Sequence, residues 1–229
     1  MKPLLKICGL MQPEDVRHCL DIGVDILGFV TEYPLAVPWN LKREQTAALI
    51  DQVRRSADGQ TKSCIVTGGS PEFVIELATE LKPDLIQLHY RESFEDTKVI
   101  ANKLKGLGIG IIKTIPISSD ARLEQFGTSD LLAVVELLNS IDIYAILIDS
   151  RGPENASQTG RMLDTEFCRQ VIQAAQKPVI IAGGIRPENV IEVIEKTGAK
   201  IIDIMTGVET SPGVKSFELL DQVAVLIEK

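Results

Sequence analysis

Short runs of apolar, mostly β-branched residues alternate along this chain with longer stretches in which apolar residues recur every three or four positions. The short runs lie at Leu4–Cys8, Ile26–Val30, Ser63–Thr67, Leu85–His89, Ile111–Pro116, Tyr144–Asp149, Val179–Ala182 and Ile201–Met205. They are nearly continuous in apolar residues, which is the pattern of strands buried on both faces. The longer stretches predict helices over Pro13–Ile22, Arg43–Arg55, Pro71–Leu81, Glu92–Leu107, Asp130–Leu138, Asp164–Ala175, Pro187–Lys196 and Ser216–Lys229. Local chemistry agrees: Pro13 and Pro71 stand at first-turn positions, Ser70 precedes Pro71 as a cap, and Ala47, Ala48, Ile50 and Val53 recur at helical spacing. The connection Ile117–Gly127 is long and reads as an extra loop or a short helix.

Eight strands alternating with eight helices in 229 residues is close to the minimum for a (β/α)8 TIM barrel. A doubly wound open sheet competes, but it rarely needs eight strands in so short a chain, and the glycine fingerprint expected after its first strand is absent. No composition shift, linker or low-complexity tract divides the chain, so residues 1–229 are read as a single-domain α/β barrel.

Composition narrows the function classes. Apolar residues make up 45% and charged residues 24%, ordinary for a globular protein. A formal charge of −8 with no basic stripe argues against nucleic-acid binding. The N-terminal segment lacks the features of a signal peptide, and no apolar stretch approaches the ~20 residues that span a bilayer. The four cysteines (Cys8, Cys19, Cys64 and Cys168) form no CxxC pair and have no histidine at metal-ligand spacing. The expectation is a cytoplasmic, reduced protein that uses neither metal nor cofactor.

Candidate chemistry sits at the predicted strand ends. Strand one runs into Cys8 and strand six into Asp149, two side chains able to move a proton; in a parallel barrel both reach the same rim. Each has a bland alternative: Cys8 as a small buried hydrophobe, Asp149 as a helix cap or a partner for Arg151. Strand seven leads into Gly183-Gly184 and strand eight into Thr206-Gly207, where backbone N–H groups of glycine-bearing loops suit a phosphate; plain turn glycines are the other reading. A third loop, Ser157–Arg161, follows strand six and is placed to close over the same region. Cys19, Cys64 and Cys168 read as packing residues, His18 as a surface residue, and His89 as either a residue of the mouth or one that orients a loop.

Taken in order, these residues resemble the phosphoribosylanthranilate isomerase family of tryptophan biosynthesis nearly end to end. The matching stretches are Lys6-Ile7-Cys8-Gly9, Gly23-Val24-Asp25 with Gly28-Phe29-Val30, Ile86-Gln87-Leu88-His89, Lys113, and Leu147-Ile148-Asp149. They continue with Thr159-Gly160 and Leu163-Asp164, Ala182-Gly183-Gly184 with Pro187-Glu188-Asn189-Val190, and Gly207-Val208-Glu209 with Pro212-Gly213-Val214-Lys215. The resemblance implies a cofactor-independent Amadori rearrangement of a phosphoribosyl arylamine to its 1-deoxyribulose isomer. It implies Asp149 as general acid, Cys8 as general base, a phosphate on Gly183, Gly184, Thr206 and Gly207, and Trp39, His89, Thr159 and Gly160 as substrate contacts.

The pattern breaks at one rim. The family's Ser-Pro-Arg after strand two, whose arginine binds the anthranilate carboxylate, is here Val37-Pro38-Trp39-Asn40. Indole offers one N–H and an apolar face in place of a charged fork, a loss on the order of 1.5–3 kcal/mol of binding unless Arg43, Arg91 or Arg161 compensates. Tyr90, Gly68-Gly69, Gln158 and Met205-Thr206 depart from the family pattern nearby. Trp39 therefore has two open roles, a loop anchor or a stacking surface for a substrate ring. The alternatives to the isomerase are a barrel acting on another phosphosugar amine and a non-catalytic phosphosugar-binding barrel. The partner in each case is a small phosphosugar, and the chain is a monomer or a homodimer.

Overall fold

The structure is a computed structural model that describes residues 2–56, 59–150 and 163–228. Eight parallel strands close into a barrel in chain order: β1 (Leu4–Ile7), β2 (Ile26–Val30), β3 (Lys62–Thr67), β4 (Leu85–Leu88), β5 (Gly110–Ile115), β6 (Ala145–Asp149), β7 (Val179–Ala182) and β8 (Ile201–Ile204). Closure is made by β1 against β8, with Leu4 opposite Ile201 and Ile7 opposite Ile204. The near-continuous apolar runs follow from this topology, because each strand faces the barrel interior on one side and a helix on the other.

The interior is filled by Ile26, Cys64, Leu85, Ile112, Ala145, Leu147, Ile180, Ala182 and Ile201. Side chains alternate along a strand, so the residue two positions further on points into the same interior, one layer nearer the carboxyl ends. That step leads to Val30 by way of Gly28 on β2, and to Val66 on β3, Gln87 on β4, Asp149 on β6 and Asp203 on β8. A larger apolar layer lies between strands and helices.

The outer helices are α1 (Pro13–Asp21), α2 (Arg43–Arg54), α3 (Pro71–Leu81), α4 (Phe94–Lys105), α5 (Ser119–Phe126), α6 (Leu131–Asn139), α7 (Thr165–Ala174), α8 (Val190–Thr197) and α9 (Phe217–Glu228). The long connection after β5 is a helix, α5, capped by the Ser118 side chain and ended by Gly127 at φ 72°. Helix α4 starts at Phe94, two residues later than the periodicity predicts, because Ser93 and Asp96 form a reciprocal capping box. Helix α8 likewise begins at Val190 and not at Pro187. A hairpin not foreseen from the sequence, β9 (Glu209–Ser211) with β10 (Val214–Lys215), follows β8. His18 is less exposed than its helix position suggests: its ring stacks on Phe217 at 4.2 Å and its Nε2 lies 2.8 Å from Asp221, joining α1 to α9 where the helical ring closes.

Leaving Glu92 out of α4 has a structural reason. Its carboxylate accepts from Lys113 Nζ at 3.2 Å and from Gly69 N at 3.1 Å, and Lys113 also donates to the Glu92 carbonyl and to Gln125 on α5. A Cβ on Gly68 would stand 2.4 Å from Glu92 Oε1, so the glycine leaves room for this carboxylate. Burial lowers the pKa of Lys113, and the adjacent Glu92 opposes that shift. Lys113→Met is expected to cost about 3–5 kcal/mol, because it strands Glu92 without its cation. Lys113→Met with Glu92→Gln should recover most of that loss in urea unfolding; a double variant no better than the single one would mean the pair is not the source.

Candidate active site

A cavity opens at the carboxyl end of the barrel. It is lined by Cys8, Trp39, His89, Asp149, Gly183, Gly184, Thr206 and Gly207 among others, so eight of the ten residues singled out from the sequence meet there. The remaining two, Thr159 and Gly160, lie outside the described residues, as do Arg151, Gln158 and Arg161.

Cys8 follows β1 directly, and its N–H continues the ladder by donating to Ile204 O at 2.9 Å. A Cβ on Gly28 would lie 2.9 Å from Cys8 Sγ, so the glycine of β2 leaves the space that the thiol occupies. One step inward on the same strand, the wholly buried Lys6 donates to Asp203 Oδ2 at 2.7 Å. Burial alone would lower the Lys6 pKa; the Asp203 carboxylate, with Cys8 and Cys64 beyond it, outweighs that and raises it. Lys6 is therefore a fixed positive charge beneath the thiol. The other three cysteines are buried outside any disulfide, and burial pushes each of their thiols up to about 12. They behave as packing residues, as their positions suggest.

Asp149 ends β6 opposite Ala182 and is 5% exposed. Its Oδ2 lies 3.8 Å from His89 Nε2. The other ring nitrogen of His89 faces Gln87 Nε2 at 2.9 Å. His89 thus stands between Gln87 on β4 and Asp149 across the barrel mouth. It lines the mouth beside Asp149. Its own carbonyl accepts from Tyr33 OH at 2.8 Å, which ties the loop after β2 to β4.

The glycine loops are built for close approach. Gly183 and Gly184 have φ of 107° and 64°, a region that L side chains rarely adopt. A Cβ at Gly183 would lie 2.2 Å from Ser150 Oγ, and one at Gly207 only 1.9 Å from Ile185 O. The β7 and β8 loops therefore touch through bare backbone, and Thr206–Val208 forms a single 3-10 turn. Asn189 holds the first loop from below, accepting from Arg186 N at 2.8 Å and donating to Gly184 O at 3.0 Å. Successive backbone N–H groups in such a concave turn suit an anion. Ser211 lies in the hairpin and Gly213 at its turn, where a Cβ at Gly213 would meet Met11 Sδ at 2.6 Å.

Trp39 is buried, and its indole N–H donates to both carboxylate oxygens of Glu209, at 2.9 and 3.2 Å. Glu209 is paired with Lys215 at 2.7 Å, and Lys215 also donates to the Met205 carbonyl. Trp39 thus anchors the loop after β2 to the hairpin after β8, while its ring lines the cavity with Val30, Tyr33, Val37, Val66 and Met205. The two roles left open by the sequence are compatible. Asn40 braces the same loop by bonding both backbone groups of Tyr33.

Lys6 and Asp203, with Gln87, Glu209, Lys215 and Asn189, carry no role in the sequence reading, although all but Asp203 stand in the stretches that match the family. The signal for the first two was present: a charge inside a wholly apolar strand must find a buried partner.

The profile of the family described as PRAI, N-(5'phosphoribosyl)anthranilate (PRA) isomerase, matches residues 5–225. A relative from Methanosarcina acetivorans, named N-(5'-phosphoribosyl)anthranilate isomerase, is 30% identical over 92% of this chain and 87% of its own. One of the same name from Rhodopseudomonas palustris is 32% identical over 96% of this chain and 93% of its own. Among solved structures, the phosphoribosyl anthranilate isomerase of Thermus thermophilus superposes with a TM-score of 0.74 at 26% identity, covering 98% of each chain.

Proposed function

The chain belongs to the N-(5'-phosphoribosyl)anthranilate isomerase family, and we propose that it carries out that isomerisation, a step of tryptophan biosynthesis, with Asp149 as general acid and Cys8 as general base. The observation that carries the assignment of roles is the convergence of the two groups, from strands far apart in sequence, on one cavity that also holds two glycine loops.

The phosphate end of the substrate rests on the backbone around Gly183, Gly184, Thr206 and Gly207, which places the sugar between β1 and β6. Asp149 delivers its proton to the furanose ring oxygen as the C1–O bond breaks. The arylamine lone pair fills the vacancy at C1, giving an iminium cation. That cation acidifies the C2 hydrogen, and the Cys8 thiolate removes it; the C–H electrons form the C1–C2 double bond and neutralise the nitrogen. The resulting enolamine gains a proton at C1 and loses its C2 hydroxyl proton, which leaves the ketone. No electrons leave the substrate, so no redox partner is needed. The Lys6 ammonium, paired with Asp203, lies one layer beneath Cys8 on the same strand.

No helix among the described residues is long and apolar enough to cross a membrane. We read the enzyme as cytoplasmic, the compartment in which phosphorylated sugars are retained.

The test is direct. Phosphoribosylanthranilate, formed from anthranilate and ribose 5-phosphate, is offered to the pure protein while anthranilate-type fluorescence is followed. Enzyme-dependent decay supports the reading, and its absence removes it. The glycine contact makes a further expectation: Gly207→Ala, which drives a methyl into Ile185 O, should lower kcat/KM on the order of 10²-fold, with the barrel's circular dichroism unchanged. Unaltered kinetics would move the phosphate elsewhere.

A further inference from the structure

The hairpin after β8 carries a buried ion pair that the chemistry described above does not use. Lys215 on β10 and Glu209 on β9 meet at 2.7 Å, with side chains 0% and 4% exposed, and neither lines the cavity. Between β8 and Glu209 lies the turn Thr206–Val208, one side of the anion cradle. A 3-10 turn of three residues has too few bonds to hold its own shape, so its geometry is imposed from outside.

Lys215 grips both ends of that turn. Its ammonium donates to the Met205 carbonyl, just before the turn, at 3.0 Å, and to Glu209 Oε1, just after it, at 2.7 Å. Ser216 N closes the same span by donating to Val208 O at 2.9 Å. The backbone of Lys215 is in turn bonded to the Asp15 carboxylate on α1, which fastens the clamp to the helical ring. Glu209 Oε1 accepts not only from Lys215 but also from the indole N–H of Trp39 at 2.9 Å, so the loop after β2 is held at the same atom.

We propose that Lys215 and Glu209 are positioning residues: they fix the turn Thr206–Val208 in the shape that binds phosphate and, through the Trp39 N–H, tie the loop after β2 to it. This rests on the phosphate placement given above. The two charges cancel, so what the pair supplies to the turn is the location of its bonds.

Inorganic phosphate is the probe, titrated into the full chain and followed by line broadening in phosphorus NMR, with the thermal midpoint measured alongside. Glu209→Ala removes the shared acceptor, and phosphate should bind roughly tenfold to a hundredfold more weakly. The same change leaves the ammonium without that carboxylate, so a purely electrostatic role would tighten binding; tighter or unchanged affinity overturns the proposal. Glu209→Gln keeps an oxygen within reach of both donors and should restore affinity to within about threefold of the unmodified protein. A Gln variant as weak as the Ala variant overturns it too. With phosphoribosylanthranilate, the Glu209→Ala loss should fall chiefly on KM, and a loss confined to kcat counts against positioning. Should Glu209→Ala fail to fold, Trp39→Phe deletes the indole N–H and keeps an aromatic ring; phosphate affinity should drop by about threefold or more, and unaltered affinity overturns the tie. Phosphate binding without turnover by the unmodified protein would remove the isomerase reading and leave this comparison decisive. A protein that binds no phosphate would remove the cradle and the proposal together.

Discussion

Cys8→Ala is expected to lower kcat on the order of 10²–10⁴-fold while leaving the barrel folded. The thiol sits at the end of β1 over Gly28, next to a fixed ammonium, and among the described residues no other side chain of the cavity replaces its reach. Alanine removes the base and leaves a gap one atom wide in an already open cavity, so stability should change little. Rapid-quench turnover with the thermal midpoint measured alongside separates the two effects. Alkylation offers a second readout. Cys19, Cys64 and Cys168 are buried with thiols raised to about 12, so modification by iodoacetamide near neutral pH should reach Cys8 first and track loss of activity. Near-normal turnover in Cys8→Ala, or inactivation that follows another cysteine, would end the assignment.

Asp149→Asn is the second large effect. The amide keeps the shape of the carboxyl group and a polar atom facing His89 Nε2, so the mouth should stay ordered. What it loses is the proton for the furanose oxygen. Ring opening then proceeds unassisted, and kcat should again fall on the order of 10²–10⁴-fold with KM near its original value. An N-aryl amine of 1-deoxyribulose phosphate that mimics the product should still bind. A collapse of KM with kcat preserved would recast Asp149 as a binding group. Combining Cys8→Ala with Asp149→Asn should cost much less than the product of the single effects, because ring opening and C2 deprotonation belong to one sequence of steps.

The barrel was legible because its elements are local. A buried parallel strand shows its two apolar faces as an unbroken run, and a helix shows one face at a spacing of three to four; both signals lie within a dozen residues. Cys8, Asp149 and the glycine loops were legible for a related reason. They stand at strand ends, and the topology of a parallel barrel sends every such end to one rim. The boundary at Phe94 moved because a capping box and a buried carboxylate outweigh periodicity at a helix start, whereas the later start at Val190 has no side-chain cap behind it. The hairpin after β8 was missed because its strands are only three and two residues long, too short to show a period.

By itself, then, the chain specified a (β/α)8 barrel and the rim on which Cys8, Asp149 and the glycine loops gather, since both follow from short-range pattern and strand order. Only the tertiary structure decided which charges neutralise one another and what shape and polarity the cavity has. Lys6 meets Asp203 across 197 positions, and Trp39 meets Glu209 across 170. Pairing at such separations is set by barrel closure and leaves no periodic trace in the sequence. For that reason a tryptophan that reads as a lost cation turns out to be an anchored apolar wall.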